Sequence, residues 1–380
     1  MDLYSKSEYL FTFNAIIYGL VCAEYFHGWG ELLRKRGIVK AYIPHLLWTI
    51  FTFLLLVDIW WGHWEKSLII TSGINYFYGS LLTPGFLYLL SISLFPGKLE
   101  THDLEKFYWK NKRSIFLLFI ALFSSNLFAD FFFGENIIDD MDTYFRISAI
   151  FFSVIAIITL NRTYHIILIY TSVILLIVHH VLLTNNPVES NLIIEGYSKS
   201  EYLITFYSII FGYVVFEFFT GWGKFVRNMN KITFCFEHLL LTIFCFSLMV
   251  SVWWISWVRV EAISTNIFFF NIVLLTPLIF YLGGCLLFPD LSEKKNYNLV
   301  EYFYKNKNLI YIIFSCYFLA NILISYVFEE YIYFPNENYY RIVGVILPAV
   351  GIFIQNRWYH KSLAVFAFGI QLAHHIYIYK

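Results

Sequence analysis

The chain has 380 residues, of which 59% are hydrophobic and 14% charged, with a mean hydropathy of +0.65; soluble domains average roughly 45–50% apolar and 25% charged. That composition excludes the soluble enzyme classes and identifies an integral membrane protein. Lys+Arg and Asp+Glu stand at 26 each, so there is no basic field for nucleic acid and no acidic tail for a basic partner.

In chain order, the first apolar stretch covers about 9–27. It is long enough to span, has neither a basic n-region nor a small-residue cleavage site, and is expected to be a retained helix rather than a signal peptide. Glu24 lies near its end, just before Gly28-Trp29-Gly30. The second stretch, about 41–61, has His45 near its start and Asp58 with Trp60-Trp61-x-x-Trp64 at its end. The third, about 67–95, carries Leu81-Leu82-Thr83-Pro84, where the proline removes a backbone donor and frees the carbonyl four residues back. The fourth, about 114–133, contains Asn126 and Asp130; the fifth, about 143–160, begins near Arg146. A tight turn with Asn161, Arg162 and His165 leads into the sixth, about 164–184, which ends near His179-His180. Each stretch is close to the ~20 residues that cross the hydrocarbon.

The chain then starts again. Tyr-Ser-Lys-Ser-Glu-Tyr-Leu at 4–10 recurs letter for letter at 197–203, and a constant offset of 193 carries Glu24 onto Glu217, His45 onto His238, and Thr83-Pro84 onto Thr276-Pro277. After a two-residue insertion the offset is 195, taking Arg146 onto Arg341, Asn161-Arg162 onto Asn356-Arg357, His165 onto His360, and His179-His180 onto His374-His375. The second six stretches fall at about 202–220, 233–255, 264–288, 309–328, 340–355 and 361–379. The expected fold is therefore an all-α polytopic membrane protein with twelve transmembrane helices in two tandem six-helix repeats, 1–187 and 188–380. Because six is even, the repeats are parallel in orientation and related by a pseudo-two-fold axis along the membrane normal.

Of the 26 basic residues, 19 gather on one side, among them Arg34, Lys110, Lys112, Arg162, Lys305, Lys307 and Arg357. The opposite side has Lys6, Lys66, Lys199, Arg259 and Lys380, with Arg146 and Arg341 just inside it. The positive-inside rule then puts the chain in the cell inner (plasma) membrane with both termini extracytoplasmic. The five cysteines lie in apolar runs without CxxC spacing and read as small core residues. The tryptophan clusters read as interfacial belts.

Ionisable groups at membrane depth cost about 2.5–3.5 kcal/mol each, so each needs a partner or a wet cavity. Glu24 and His45 are expected at one depth on antiparallel neighbours, and Glu217 and His238 repeat them; Arg162, His165, Arg357 and His360 share that face. Two readings stand side by side: a proton-titratable or cation-binding gate, or a clamp in which Glu24 pairs with Arg34 or Arg162. Thr83, Pro84, Thr276 and Pro277 are candidates for a kinked transport path, against simple packing adjustments. The outer candidates are Asp58, Asp130, Arg146, His179, His180, Arg341, His374 and His375. Here the first copy has Asp58, His63 and Asp130 where the second has Ser251, Ser256 and Ser325, so carboxylates would attract cations at one mouth only. A pair of Asp130 with Arg146 is the alternative.

His165 and His179 are fourteen apart, on one helical face at opposite depths, and His360 with His374 repeat the spacing. This spacing is similar to that of the di-haem cytochrome b family, which would imply haem b on these four histidines. The sixth stretch, however, has no glycine or alanine to admit a haem plane, and the histidines also read as satisfied or snorkelling groups. No GxSxG, HExxH or P-loop occurs, so no enzyme, metal or cofactor is expected. The reading is a channel or transporter for an ion or small solute, with proton linkage, in contact with the lipid bilayer and not with nucleic acid. A homo-oligomer is compatible with it. The rivals are a di-haem electron carrier and a membrane-embedded sensor or scaffold.

Overall fold

The computed structural model describes residues 6–66, 70, 73–96, 103–133, 141–183, 193–194, 197–256, 259–290, 297–328 and 335–378. Among them are thirteen helices: α1 Lys6–Arg34, α2 Ile43–Glu65, α3 Ile74–Leu94, α4 Leu104–Phe133, α5 Met141–Ile158, α6 Arg162–Leu183, α7 Lys199–Arg227, α8 Phe236–Ser256, α9 Val260–Thr265, α10 Ile267–Leu287, α11 Leu299–Val327, α12 Pro335–Phe353 and α13 Arg357–Ile378. Eight of these are long and apolar enough to cross a membrane, and two shorter apolar helices run over Gly79–Leu94 and Asn338–Phe353. Four two-residue strands join antiparallel (β1 Ile193–Ile194 with β2 Tyr197–Ser198) and parallel (β3 Ile232–Thr233 with β4 Tyr297–Asn298).

Local chemistry explains where the helices begin. Pro44 sits in the first turn of α2, where no amide partner is needed. Asp103 accepts from the amides of Glu105 and Lys106, and Asn298 from those of Val300 and Glu301, each satisfying open donors of a first turn. The Lys106 amide and the Lys40 ammonium hold the Asp103 carboxyl below the usual aspartate range. Asn161 and Asn356 accept from Thr163 and Trp358 in the same way, so the asparagines of the two tight turns are helix caps. The repeated Ser-Lys-Ser-Glu motif is a capping box at α7: Glu201 N donates to Ser198 Oγ (3.2 Å) and Ser198 N to Glu201 Oε2 (2.7 Å).

The chain divides into two compact units, the first comprising Met1–Phe206 and Ser264–Asn271, the second Tyr207–Ile263 and Ile272–Lys380. In the first unit α4 packs on α3 and α5, α1 on α3, and α2 on α6; in the second, α11 packs on α12 and α8 on α13. Trp29 Nε1 donates to Thr49 Oγ1 (2.9 Å), tying α1 to α2, and Trp222 to Thr242 (3.0 Å) ties α7 to α8. These indoles are helix ties. The belt reading fails at Trp60 and Trp64, which are buried. Tyr202 stacks on Trp60 at 4.2 Å and donates to its carbonyl, so the ring lies in the core of the first unit. Trp253 and Trp254 are exposed. Four cysteines are buried, whereas Cys316 is exposed.

Large apolar side chains cover the outward faces, among them Phe13, Ile16 and Leu20 on α1, Ile147 and Phe151 on α5, and Ile167 and Ile174 on α6. In water each would forfeit about 25 cal/mol per Å²; against lipid tails the loss vanishes. The fold is thus consistent with an all-α, membrane-embedded protein.

Candidate functional site

Charged residues gather at one end of the first unit. Asp58 and Gly62 on α2, and Lys66 that caps its C-terminus, follow one another at four-residue steps and so fall on one side of it. Asn126 and Asp130 on α4, and Asp142 and Arg146 on α5, use the same spacing. With Thr83 on α3, Leu176 and His179 on α6, and the segment Thr265 to Ile267, they line a cavity of about 210 Å³.

Its wall carries a string of alternating charges. Asp130, 3% exposed, accepts from both the Lys66 ammonium and the Arg146 guanidinium. Arg146 also lies 3.8 Å from Asp142, and Asp142 lies 3.7 Å from His179 Nε2. A carboxylate this buried is tolerable only because two cations face it; removing either would leave charge unmatched. Thr83 donates to Asn126 Oδ1 (3.0 Å), and its hydroxyl is 3.3 Å from that of Ser125. The helix turn ahead of Pro84 is thereby joined to α4.

Lys66 and Asp142 line the cavity from outside the candidate set, and so does His63. It is 7% exposed, and its Nδ1 bonds the hydroxyl of Tyr18 at 2.7 Å. The Tyr18 partnership is invisible in sequence, because the two residues are 45 positions apart.

The matching part of the second unit has a cavity of about 40 Å³, lined by Ser251, Ile255, Arg259, Asn321, Arg341, Tyr340 and Gln371, among others. Tyr340 donates to Gln371 Oε1 (2.5 Å), and Gln371 Nε2 donates to Ser251 (2.8 Å). Thr276 Oγ1 is buried with no partner, in a helix that contains Pro277. The side chains of His180, His374 and His375 lie outside the described residues.

At the other end of each unit the expected Glu–His pairs are not joined by hydrogen bonds. His45 and His238 are fully buried and neither ring nitrogen is bonded; the Leu94 and Leu287 carbonyls are the backbone groups facing them. Glu24 is half-buried; Glu217 is buried, with its Cγ 3.0 Å from where a Cβ on Gly284 would stand. Arg162 pairs with Glu105 (2.9 Å) and Arg34 with Glu31 (3.6 Å). Arg357 pairs with the buried Glu237 (3.4 Å), which also accepts from Tyr304. Glu237 escaped sequence reasoning because its counterpart is Pro44.

His165 accepts or donates at Nδ1 with Tyr108 (2.8 Å) and faces the Thr159 carbonyl through Nε2 (3.3 Å); His360 does so with Tyr311 (2.8 Å) and Ile354 (3.1 Å). A carbonyl only accepts, so Nε2 carries the proton and Nδ1 accepts from the phenol. Both nitrogens of each ring are engaged. A lysine joins each such site: the Lys112 ammonium donates to the carbonyls of Ala156, Ile157 and Thr159, and that of Lys307 to those of Gly351, Ile352 and Ile354. Both lysines, read from the sequence as loop charges, are buried at helix ends.

Comparison of the chain with protein-family models, with curated proteins and with solved structures found no match.

Proposed function

We propose that the protein is a channel or transporter for an ion or small solute, embedded in the inner membrane. The observation that carries this reading is the 210 Å³ cavity at the end of a membrane-crossing helix unit, lined by Asp58, Lys66, Asp130 and Arg146. Charges are kept at such depth where they serve a path, since packing alone is served more cheaply by leucine. Thr83, beside Pro84, places a polar hydroxyl at the cavity and extends the polar wall along α3.

The architecture that goes with this reading is twelve crossings in two parallel six-helix copies, related by a pseudo-two-fold axis along the membrane normal, with both termini extracytoplasmic. In its support, twelve described helices have 18 residues or more, about 27 Å of rise. The Lys–carbonyl and His–carbonyl contacts also recur at the 195-residue offset. Proton linkage rests on Glu24 with His45 and on Glu217 with His238, buried or half-buried titratable groups in each copy.

Reconstitution into proteoliposomes tests it. Purified protein should carry small ions or solutes faster than protein-free vesicles, and the Glu24→Gln, Glu217→Gln double variant should change the pH dependence of that flux between about pH 5 and 8. A folded protein that moves no cation, anion or small neutral solute above the vesicle background would overturn the transport reading. Flux with unaltered pH dependence in the double variant would remove these glutamates from it.

A further inference from the structure

One substitution between the two copies leaves a space in the second. Trp48 on α2 is 3% exposed, and its ring centroid lies 5.6 Å from that of Phe51, 5.4 Å from Phe116 and 5.0 Å from Phe119. The offsets of 193 and 195 carry these four positions onto Leu241, Phe244, Tyr311 and Phe314, and all four line one cavity of about 50 Å³ in the second unit. The aromatic walls are kept, while the indole among them has become an isobutyl group. We propose that this space holds the hydrocarbon chain of a membrane phospholipid.

The lining sets the class of ligand. Among the described residues no polar surface faces the cavity. The Tyr311 and Tyr340 rings border it, but their hydroxyls bond His360 and Gln371. Water settles in a buried space only with about two to four polar partners, so this one takes carbon. The cavity also has a direction. Tyr340, Val343, Gly344 and Leu347 line it from α12, and Leu363, Phe366, Ala367 and Ile370 line it from α13. Steps of three and four residues put each set on one helix face. Each set rises about 10 Å, so the space is a groove along the two helices, the direction in which lipid chains lie.

Its mouth is at chain depth. Val343 and Phe366 are 40% and 52% exposed, and Gly344 and Ala367 beside them have little side chain to close the opening. Gly344 is nine residues from each end of α12, and Phe366 is nine from the start of α13. That is about 13 Å along either helix, close to half of the ~30 Å hydrocarbon thickness. Acyl chains reach that depth and headgroups do not. The placement takes α12 and α13 as two of the proposed crossings and needs no transport activity.

Photolabelling tests the proposal. The purified full chain is reconstituted into phosphatidylcholine vesicles that contain a trace of phosphatidylcholine with a diazirine at the middle of one acyl chain. After irradiation, the labelled residues are mapped by peptide mass spectrometry. The buried Leu241 and Phe314 should be labelled together with the exposed Val343 and Phe366, because a chain inside the groove reaches all four. Leu241→Trp, which gives the second copy the residue of the first, should reduce the label at Phe314 to background. Ile342 and Ile346, exposed on α12, should keep theirs and so report an intact fold. Should Leu241→Trp fail to fold, Ala367→Leu, which narrows the mouth, is read in its place with the same expectation. Label confined to exposed residues in the unaltered protein would overturn the proposal, and so would undiminished label at Phe314 in the folded variant. A free phenyl diazirine that labels Leu241 where the lipid-borne one does not would replace the lipid chain by a small aromatic guest. Vesicle flux plays no part in this readout, so the transport reading and this one can fail separately.

Discussion

Lys112 and Lys307 show how much one side chain decides in this protein. The last carbonyls of a helix have no partner within it and sit at its negative pole. An ammonium offers three donors, and each lysine spends them on three carbonyls at or just past the ends of α5 and α12 respectively. The histidine beside it takes a proton-bearing nitrogen to the same segment. In hydrocarbon no water replaces these donors, so Lys112→Met should cost about 1–3 kcal/mol for the carbonyls left open. Thermal unfolding in detergent should show Lys112→Met and Lys307→Met both destabilised. Lys112→Arg should restore little, because a planar guanidinium does not fan its donors over three converging acceptors. A melting temperature unchanged in both methionine variants would contradict this account.

The tyrosine that satisfies each histidine makes a related point about substitution. Tyr108 serves His165, yet the residue at the 195 offset from it is Phe303, and His360 is served by Tyr311, which stands where the first copy has Phe116. The phenol and phenyl have exchanged places along one helix, two turns apart. What is kept is the hydrogen bond, because an unsatisfied imidazole in a membrane is expensive, and not the position that supplies it.

Helix pairs are set by close approaches that the motifs already hint at. Gly28 would place a Cβ 2.2 Å from the Phe95 ring, and Gly221 would place one 2.1 Å from Phe288. The first glycine of each Gly-Trp-Gly motif therefore admits the phenylalanine that follows the third apolar stretch of its copy, while the tryptophan beside it ties the first helix to the second. Gly28→Ala should cost about 1–3 kcal/mol through overpacking, seen as a lower melting temperature. Adding Phe95→Leu should recover part of it, since a smaller, flexible side chain makes room for the methyl group. Additive losses in the double variant would mean that the ring is not what the glycine accommodates.

Over the whole molecule, the expected crossing number and orientation reduce to a labelling pattern. With an even number of crossings the two termini share a side, opposite the loops that contain Lys40 and Lys98. Single cysteines at Ser5 and Asn186, in a chain whose native cysteines are replaced by alanine, should react in intact cells with an impermeant thiol reagent, and one at Lys40 should not. Labelling at Lys40, or protection at one of the other two, would reverse the orientation or change the parity of the crossings.

Helical, membrane-bound character was legible in the composition, because burying 59% hydrophobic residues against 14% charged ones leaves lipid as the only solvent for the surplus. The internal echo was legible too, since it is a property of letters. Helix starts at Asn161, Asn356 and Ser198 are local and follow from side chains bonding amides two or three residues away. What each repeated letter does was not legible. Tyr9 is 73% exposed, whereas its identical counterpart Tyr202 is fully buried against Trp60. Lys112, counted from sequence as a loop charge, is drawn onto carbonyls 44 to 47 residues away. Glu24 and His45 share an expected depth but no hydrogen bond, because rise per residue sets depth while the rotation of neighbouring helices sets contact. The cavity itself depended on several helices converging, and on Gly62 leaving space where Ile255 borders only about 40 Å³. Volume and the partners of buried charge are many-body quantities, so they exist only once the helices have packed.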